Sequence, residues 1–354
     1  MSLQFRKENI SDETFESAGF IDVTGNGIYD IVSGAYWYEG PDFIKRHFMG
    51  HVLKEGEYYD DFSTIPMDVN GNGRIDVITG GWWGKTLKWR ENPGVPGREW
   101  PEHIIAECGS IETARAWDID NDGDPEIIPN TPGNSLTVYK LREPGHFTSR
   151  TVYGQPQGHG LGCGDLSGNG RPDIILSEGW LEAPEDPWSD EWIFHPEFSL
   201  GRAGIPVIAA DVNGDGLCDI IAGQAHGYGL SWFEQTLKSG KRSWIEHPVD
   251  TSCSQYHDMK WIDIDGDSHP ELITGKRYRA HCGRDPGADD PVGIYCFRWT
   301  GTSFSKEVID QGDPEQGASG CGIFFDAVDI TGNGLPDILA PGKEGLYLFY
   351  NECF

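Results

Sequence analysis

Three features of the sequence predict an all-β chain that folds as a seven-bladed β-propeller. One polar motif recurs seven times in the 354 residues, with 46 to 66 residues between successive copies. That period accommodates the four short strands of a propeller blade. The chain is rich in glycine (48) and proline (22), and 12% of it is aromatic, which suits short strands joined by tight turns. We therefore predict one propeller domain over residues 1–354.

The recurring motif is a polar loop followed by a short apolar run. Its copies begin at Asp22, Asp68, Asp118, Asp165, Asp211, Asp263 and Asp329. The fifth copy reads DVNGDGLCD and continues into Ile220 and Ile221. A short, fully apolar run suits a strand that is buried on both faces between neighbouring blades. Each copy therefore predicts the loop between the first two strands of a blade.

The two ends of the chain carry strand patterns that would close the ring. Residues 3–10 match the outer-strand pattern that recurs at 147–152 and 304–309. Residues 345–351 match the third strand of a blade. We expect the N-terminal strand to complete the last blade, because closure hides sheet edges that would otherwise promote aggregation.

Oxygen-bearing side chains fill positions 1, 3, 5 and 9 of each motif, and glycine fills position 6 in six of the seven copies. Ca²⁺ takes about six to eight oxygen ligands, and a carbonyl at position 7 would add one. Several structural Ca²⁺ ions are therefore predicted. The predicted ligands are Asp22, Thr24, Asn26, Asp30, Asp68, Asn70, Asn72, Asp76, Asp118, Asp120, Asp122, Glu126, Asp165, Ser167, Asn169, Asp173, Asp211, Asn213, Asp215, Asp219, Asp263, Asp265, Asp267, Glu271, Asp329, Thr331, Asn333 and Asp337.

The seven loops differ in charge. Those at Asp118 and Asp263 carry acids at all four side-chain positions, so we expect them to bind Ca²⁺ most tightly. The loops that carry Thr or Ser at position 3 have an alternative role as Asx-turns that satisfy their own backbone.

The loop pattern D-x-[DN]-x-[DN]-G-x-x-D, followed by an apolar strand, resembles the FG-GAP/VCBS repeat family over nearly the whole chain. This resemblance implies a calcium-stabilised propeller and says little about function. In blade number and loop character the chain is also similar to the propeller domain of fungal aldos-2-ulose dehydratase. That similarity implies a lyase that acts on keto-sugars.

Candidate catalytic residues lie where the chain enters the first strand of a blade or leaves the second, at the end opposite the calcium loops. His159, His257 and Glu112 each stand six residues before a motif aspartate, and Asp61 lies close to another. The two imidazoles, with His226 and a carboxylate, could hold one Zn²⁺ or Mn²⁺, or either could act as a general base. The alternative is a hydrogen-bonded histidine pair with water between the rings.

Aromatic and polar residues follow several second strands, where a sugar ring could stack on them. The predicted substrate contacts are Trp37, Trp82, Trp83, Trp180, His226, Tyr228 and Tyr278. Packing between blades is the alternative role of each aromatic ring. Two longer segments, 181–202 and 279–293, are expected to be rim loops that narrow the pocket.

The leading functional hypothesis is a carbohydrate lyase or dehydratase that acts on a sugar or keto-sugar. Elimination needs a base and an electrophile, and the predicted catalytic residues are His159, His257, Glu112, Asp61 and Arg277. Arg277 would neutralise a carbonyl or carboxylate oxygen. A non-catalytic lectin or protein-interaction scaffold is the alternative.

Charge and motif content disfavour other classes of protein. Acidic residues outnumber basic ones by 57 to 27, so the surface should repel nucleic acids and anionic membranes. No apolar run of 18 residues and no signal-peptide pattern occurs. The chain as given is therefore expected in the cytoplasm, or outside the cell if a signal had been removed. No nucleophile elbow or phosphate-binding loop is present, which disfavours serine hydrolysis.

Overall fold

The computed structural model describes residues 3–353, whose strands form seven four-stranded antiparallel sheets, here blades 1 to 7 in chain order. Blade 1 contains β2 (Ala18–Ile21), β3 (Asp30–Ser33), β4 (Tyr36–Tyr38) and β5 (Arg46–Phe48). Blade 2 contains β8 (Ile65–Met67), β9 (Asp76–Gly80), β10 (Thr86–Arg90) and β11 (Glu102–Glu107). Blade 3 contains β12 (Thr113–Trp117), β13 (Glu126–Asn130), β14 (Leu136–Glu143) and β15 (His146–Tyr153).

The next three blades repeat this order. Blade 4 contains β16 (Leu161–Gly164), β17 (Asp173–Leu176), β18 (Gly179–Glu182) and β19 (Ile193–His195). Blade 5 contains β20 (Ile208–Ala210), β21 (Asp219–Gly223), β22 (Tyr228–Lys238) and β23 (Lys241–Ser254). Blade 6 contains β24 (Tyr256–Ile262), β25 (Glu271–Lys276), β26 (Val292–Trp299) and β27 (Phe304–Gly312).

Blade 7 joins the two ends of the chain. It contains β28 (Asp326–Val328), β29 (Asp337–Gly342), β30 (Gly345–Asn351) and the N-terminal β1 (Phe5–Ser11). Phe5 pairs with Asn351 and Asn9 with Tyr347. The predicted seven-bladed fold and its closure by the N-terminal strand are therefore confirmed. All eight cysteines are free, so the closure is non-covalent.

The remaining regular elements are short. A two-stranded ribbon, β6 (Lys54–Glu55) and β7 (Tyr58–Tyr59), lies between blades 1 and 2, and 3₁₀ turns occur at Ala280–Cys282 and Pro314–Gln316. Within residues 3–353, no helix has the length and apolarity required to cross a membrane.

The first strands of the blades form the inner ring around the channel. First strands contact the first strands of the neighbouring blades: β2 contacts β8 and β28, and β20 contacts β16 and β24. These strands approach closely because they carry small residues: a Cβ added at Gly162 would lie only 2.4 Å from the carbonyl oxygen of Val207. Apolar second strands, including Ile174 and Ile175, are fully buried between the blades.

Four blades share a packing unit of tryptophan, histidine and glutamate. A tryptophan on the third strand stacks on a histidine of the fourth strand, with ring centroids 4.0 to 4.5 Å apart. The glutamate two residues after the tryptophan lies 2.8 to 3.0 Å from the histidine Nε2. The units are Trp37–Glu39–His47, Trp89–Glu91–His103, Trp180–Glu182–His195 and Trp232–Glu234–His247. All four tryptophans are buried, so the unit fastens the third strand to the fourth.

The turn between β29 and β30 buries a carboxylate. Glu344 Oε1 accepts a hydrogen bond from Gly320 N at 2.6 Å, whereas Oε2 has no partner. Burial raises the pKa of Glu344 to about 7, against the opposing effect of the Gly320 hydrogen bond.

We expect Glu344→Gln to be more stable than the parent chain near pH 8, by about 2 kcal/mol, and equally stable near pH 4. The pKa of Glu344 is higher in the folded chain than in the unfolded chain. The protonated carboxyl group therefore contributes its full stabilisation to the folded state at pH values below the unfolded pKa. This stabilisation is lost as the pH rises through the folded pKa of about 7. Denaturant unfolding at both pH values measures the difference. Equal stabilities near pH 8 would contradict the assignment.

Candidate functional site

Three histidines converge at one end of the central channel, the end that faces away from the motif loops. His159 lies just before β16, His226 between β21 and β22, and His257 near the start of β24. One ring nitrogen of each histidine lies within 4.8 Å of a ring nitrogen of the other two. All three rings are buried. The structure thus brings together His159, His226 and His257, the three imidazoles expected to hold a metal ion, and metal binding there stays a prediction.

Hydrogen bonds at Nδ1 determine which face His159 and His226 present to each other. Nδ1 of His159 lies 2.6 Å from the carbonyl oxygen of Ala203, and Nδ1 of His226 lies 2.7 Å from Asp285 Oδ2. A carbonyl and an ionised carboxylate only accept hydrogen bonds, so both Nδ1 atoms carry hydrogen. The two Nε2 atoms, 3.0 Å apart, then present lone pairs to each other when the rings are neutral.

This pair of lone pairs requires a proton or another cation between the rings. Burial lowers the pKa of His226 to about 3, and the charge of His159 acts in the same direction. His226 is therefore a poor place for the proton, whereas a proton on His159 Nε2 would face both Glu112 Oε1 and His226 Nε2. A metal ion bound by both Nε2 atoms would remove the repulsion in the same way.

Glu112 supplies a carboxylate to the same cluster. Its Oε1 lies 3.2 Å from His159 Nε2 and 3.9 Å from His226 Nε2. Burial on its own would raise the pKa of Glu112, but the neighbouring His159 and His226 bring it down to about 2. The group is therefore an anion at neutral pH and adds a carboxylate beside two of the three imidazoles, His159 and His226.

His257 has no hydrogen-bond partner at either ring nitrogen, although its side chain is completely inaccessible to solvent. Burial and the nearby Arg277 lower its pKa well below the usual range, so the ring is neutral. An unsatisfied buried polar group costs about 1–3 kcal/mol. Its ring centroid lies 5.4 Å from that of His159, so a ligand shared by the cluster would satisfy it.

The cluster has the dimensions of a transition-metal site. Metal–nitrogen bonds of about 2.0–2.1 Å in a tetrahedron place neighbouring ligand atoms about 3.4 Å apart. The His159–His226 and His159–Glu112 separations, 3.0 and 3.2 Å, are close to that value. Imidazole and carboxylate ligands suit Zn²⁺ and Mn²⁺. The residues therefore fit the predicted ion.

Residues 279–290, here called the strap, lie over the histidines. The His281 ring stacks on His226 with centroids 4.4 Å apart, and Asp285 Oδ1 lies 2.9 Å from His281 Nδ1. Asp285 therefore orients both histidines. Arg279 anchors the strap through Glu57, at 2.8 Å. The strap coincides with one of the two segments expected at the rim.

The strap contains strained backbone. Arg279, His281 and Cys282 have φ angles of 47°, 49° and 56°, the left-handed region that residues with a Cβ atom rarely adopt. Each costs on the order of 1 kcal/mol. Strain of this kind is retained where surrounding contacts fix the chain, and functional sites are a common location for it.

A pocket of about 90 Å³ opens beside the histidines. It is lined by Tyr58, Phe62, Trp82, Trp83, Glu112, Arg277 and His281. Glu112 belongs to both the pocket and the histidine cluster. Trp82 is 37% exposed, so its ring is available to a ligand. The predicted contacts Trp82 and Trp83 therefore lie beside the candidate metal site.

Several predicted site residues do not join this group. Trp37 and Trp180 are buried in the tryptophan–histidine–glutamate units, so they cannot stack on a sugar in this conformation. Asp61 accepts a hydrogen bond from the Thr79 hydroxyl on β9, which gives it a role within blade 2. Tyr228, whose hydroxyl donates to Asp290 at 2.6 Å, lies beside the strap. Tyr278 directly precedes the strap, outside the pocket lining.

Arg277 is already paired. Its Nε donates to Glu16 Oε1 at 2.8 Å and its Nη2 to Glu16 Oε2 at 3.3 Å. Both side chains are only 3% exposed. The predicted role of Arg277 as an uncompensated charge for a substrate oxygen therefore needs correction, because Glu16 neutralises the guanidinium.

The segment 181–202 also departs from expectation. The Trp188 indole nitrogen donates to Asp120 Oδ2 at 2.9 Å, so this part of the segment covers the motif loop of blade 3 at the opposite end of the channel. The chain returns to the channel mouth that holds the histidines only after residue 202, where the carbonyl oxygen of Ala203 accepts a hydrogen bond from His159.

All seven motif loops connect the first and second strands of their blades. In blade 5, Asp211 accepts hydrogen bonds from the backbone nitrogens of Asp215 and Gly216 at 3.1 and 2.9 Å. Asp219 accepts from Val212 N at 3.2 Å. Backbone hydrogen bonds therefore already shape the loop, and Ca²⁺ binding there stays a prediction.

Two overlapping stretches, residues 68–129 and 118–176, match a known family model described as FG-GAP-like repeat, and they contain three of the seven motif loops. The protein is a seven-bladed β-propeller, and residues 68–176 of it match FG-GAP-like repeats. No curated protein matches the chain. The resemblance to aldos-2-ulose dehydratase stays a prediction.

Solved structures share the fold of this propeller. One is the BP39L lectin from Burkholderia pseudomallei, which is 13% identical, with a TM-score of 0.55 over 99% of this chain and 96% of that one. Another is BBS1N, solved in complex with ARL6DN and soaked with lead, which is 9% identical, with a TM-score of 0.58 over 98% and 95% of the two chains. At these identities the similarity concerns the fold alone.

Proposed function

We propose that this FG-GAP-like propeller is a metal-dependent lyase or dehydratase that acts on a neutral keto-sugar at the channel mouth, with structural Ca²⁺ in motif loops. The observation that carries the proposal is His257, a fully buried imidazole with two unpartnered nitrogens beside His159 and His226. A Zn²⁺ or Mn²⁺ ion held by these histidines and Glu112 would polarise a substrate carbonyl.

His281 is the best-placed general base. Its ring lines the pocket and its side chain is 43% exposed, in contrast to the buried metal-site histidines. Asp285 accepts its Nδ1 hydrogen, which leaves Nε2 with the lone pair. The pKa of Asp285 is lowered, despite burial, by its hydrogen bonds to His281 and His226, so the carboxylate stays ionised.

The proposed reaction is the loss of water from a hydroxylated ketone. Nε2 of His281 takes the proton from the carbon next to the carbonyl, and the electron pair of that bond forms the enolate. The enolate expels the hydroxyl group on the next carbon, and the imidazolium returns its proton to the leaving oxygen. The products are an unsaturated ketone and water, and the histidine is restored to its neutral form.

Charge and ring faces in the pocket favour a neutral substrate. Trp82, Trp83 and Tyr58 offer flat faces on which the C–H side of a sugar ring can stack. Arg277 is compensated by Glu16, and Glu112 is an anion. An acidic sugar would find no uncompensated side-chain cation among the lining residues, so its carboxylate would compete with the reacting carbonyl for the metal ion, whereas a neutral keto-sugar presents only the carbonyl and hydroxyl groups.

Two observations favour one central site over repeated lectin-type sites. The ring stack that recurs in four blades buries its tryptophans, so it offers no repeated platform for sugars. The polar residues at the mouth, by contrast, differ from blade to blade and converge on a single cluster.

The proposal is tested by incubating the Zn²⁺- or Mn²⁺-loaded protein with neutral 2-keto-sugars and following the ultraviolet absorbance of the unsaturated ketone. We expect His281→Ala to lower kcat by about 10²–10⁴-fold with little change in KM. The matched control is His103→Ala, which removes an outer-strand histidine, also 43% exposed, from a glutamate pair. Unchanged kcat in His281→Ala, or no product with the loaded parent protein, would refute the proposal.

A further inference from the structure

The motif loop of blade 3 contains the ammonium group of Lys140, a residue of β14. Lys140 Nζ lies 2.8 Å from both carboxylate oxygens of Asp120, 2.8 Å from Asp122 Oδ1, 2.6 Å from Glu126 Oε1 and 3.4 Å from the carbonyl oxygen of Asp124. The lysine side chain is only 2% exposed. It enters the loop from the third strand of the same blade.

These contacts reproduce a calcium coordination pattern. Relative to Asp118, the oxygens around Lys140 come from positions 3, 5, 7 and 9, with a backbone carbonyl at position 7. A loop of this type offers the same positions to Ca²⁺. An ion bound there would lie within about 3 Å of the ammonium, so repulsion and lack of space exclude the two cations from sharing the loop.

Blade 6 contains the equivalent arrangement with an arginine. Arg298 lies 2.8 Å from Asp265 and 3.7 Å from Asp267, and it also contacts Glu271. Arg298 stands opposite Glu271 across the strand pair, because the neighbouring residues Leu272 and Phe297 are partners. Lys140 has the same relation to Glu126.

The other five blades lack both the acidic residue at position 3 and the basic residue opposite position 9. Position 3 of their loops is Thr24, Asn70, Ser167, Asn213 or Thr331, none of them acidic. The third-strand residue opposite position 9 is Glu39, Glu91, Glu182, Glu234 or Tyr350, none of them a cation. The extra carboxylate and the basic residue therefore occur together in two blades and are both missing from five.

We propose that Lys140 and Arg298 are internal cations that replace Ca²⁺ in blades 3 and 6, so that calcium binds at no more than five loops, those of blades 1, 2, 4, 5 and 7. This reverses the expectation that the two most acidic loops bind Ca²⁺ most tightly. The acidic residues at position 3 of these two loops, Asp120 and Asp265, neutralise Lys140 and Arg298. The inference does not depend on the lyase proposal, whose site lies at the other end of the channel.

Lys140→Met tests the proposal by removing the ammonium while keeping the apolar part of the side chain. We expect the variant to bind about one Ca²⁺ more than the parent by equilibrium dialysis. Without calcium its Tm should fall by roughly 5 °C, because buried carboxylates lose their partner, and calcium should restore it. Lys88→Met is the control, since Lys88 also lies on a third strand but pairs with Glu102, outside any motif loop.

A second variant keeps the test decisive if Lys140→Met does not fold. Asp122 is 44% exposed, so Asp122→Asn should fold normally, and we expect it to bind as much Ca²⁺ as the parent. Loss of one Ca²⁺ in Asp122→Asn would overturn the proposal, as would equal calcium content in Lys140→Met and the parent. A parent that binds no calcium would refute the calcium sites of the other five loops, and the gain in Lys140→Met would still decide this inference.

Discussion

Deletion of residues 1–11 should abolish the soluble, folded protein. The deletion removes β1, the outer strand of blade 7, and exposes the edge of β30 along the register from Phe5 to Ser11. It also removes Lys7, whose ammonium lies 4.3 Å from the centre of the Tyr347 ring. We expect a loss comparable to the whole stability of a domain, about 5 kcal/mol or more, because blade 7 loses its outer strand, and the unpaired edge of β30 should also promote aggregation.

Size-exclusion chromatography and circular dichroism of the truncated chain measure this effect. Deletion of residues 1–2, which leaves β1 intact, is the matched control and should remain monodisperse. Arg6→Ala, which removes exposed pairs with Glu8 and Glu352, should cost at most about 1 kcal/mol. A truncated chain lacking residues 1–11 that stays soluble with an unchanged melting temperature would contradict closure by the N-terminal strand.

His257→Leu should remove the stabilisation that a transition metal gives to the protein while leaving the fold intact. The parent chain buries two unpartnered ring nitrogens at this position, and leucine buries none. In metal-free buffer the variant should therefore be as stable as the parent or more stable by about 1 kcal/mol. In Zn²⁺ at about 100 times the dissociation constant, the parent should gain about 2.7 kcal/mol and the variant almost nothing.

Thermal melting with and without Zn²⁺ measures both parts of this prediction. His247→Ala is the control: this histidine is 42% exposed, pairs with Glu234 on an outer strand and lies outside the histidine cluster, so its response to Zn²⁺ should match that of the parent. A His257→Leu variant that Zn²⁺ stabilises as strongly as the parent would show that His257 is not a ligand.

The fold could be predicted from the sequence because each blade repeats one local rule. The motif aspartate accepts backbone hydrogen bonds within its own loop, as Asp211 does, so the pattern is visible without long-range information. The same spacing places His159, His257 and Glu112 at equivalent points of three blades, which is why the sequence predicts them at one mouth of the channel. His226 joins them because the loop after β21 ends at the same mouth.

The predictions differ from the structure where interaction partners are distant in the sequence. Arg277 is neutralised by Glu16, 261 residues away, so its pairing has no local signal. Trp37 and Trp180 follow second strands as predicted, but the Trp-x-Glu pattern and a later histidine place them in buried stacks. That pattern is present in the sequence and could have identified them as packing residues.

Inserted segments carry the remaining part of the site. His281 and Asp285 belong to the strap, whose left-handed residues depend on tertiary contacts such as the Arg279–Glu57 pair. Tyr58 and Phe62 come from the insertion between blades 1 and 2, which follows no repeat. Periodicity predicts only what repeats, so these side chains required the three-dimensional structure.

The most direct test of the metal site is the metal content of the purified chain, measured by inductively coupled plasma mass spectrometry after dialysis against chelator and reconstitution with Zn²⁺ or Mn²⁺. We expect about one tightly bound transition ion per chain in the parent and in His247→Ala, and less than a tenth of that in His257→Leu. A parent chain that retains no transition ion, or a His257→Leu variant that retains as much as the parent, would contradict it.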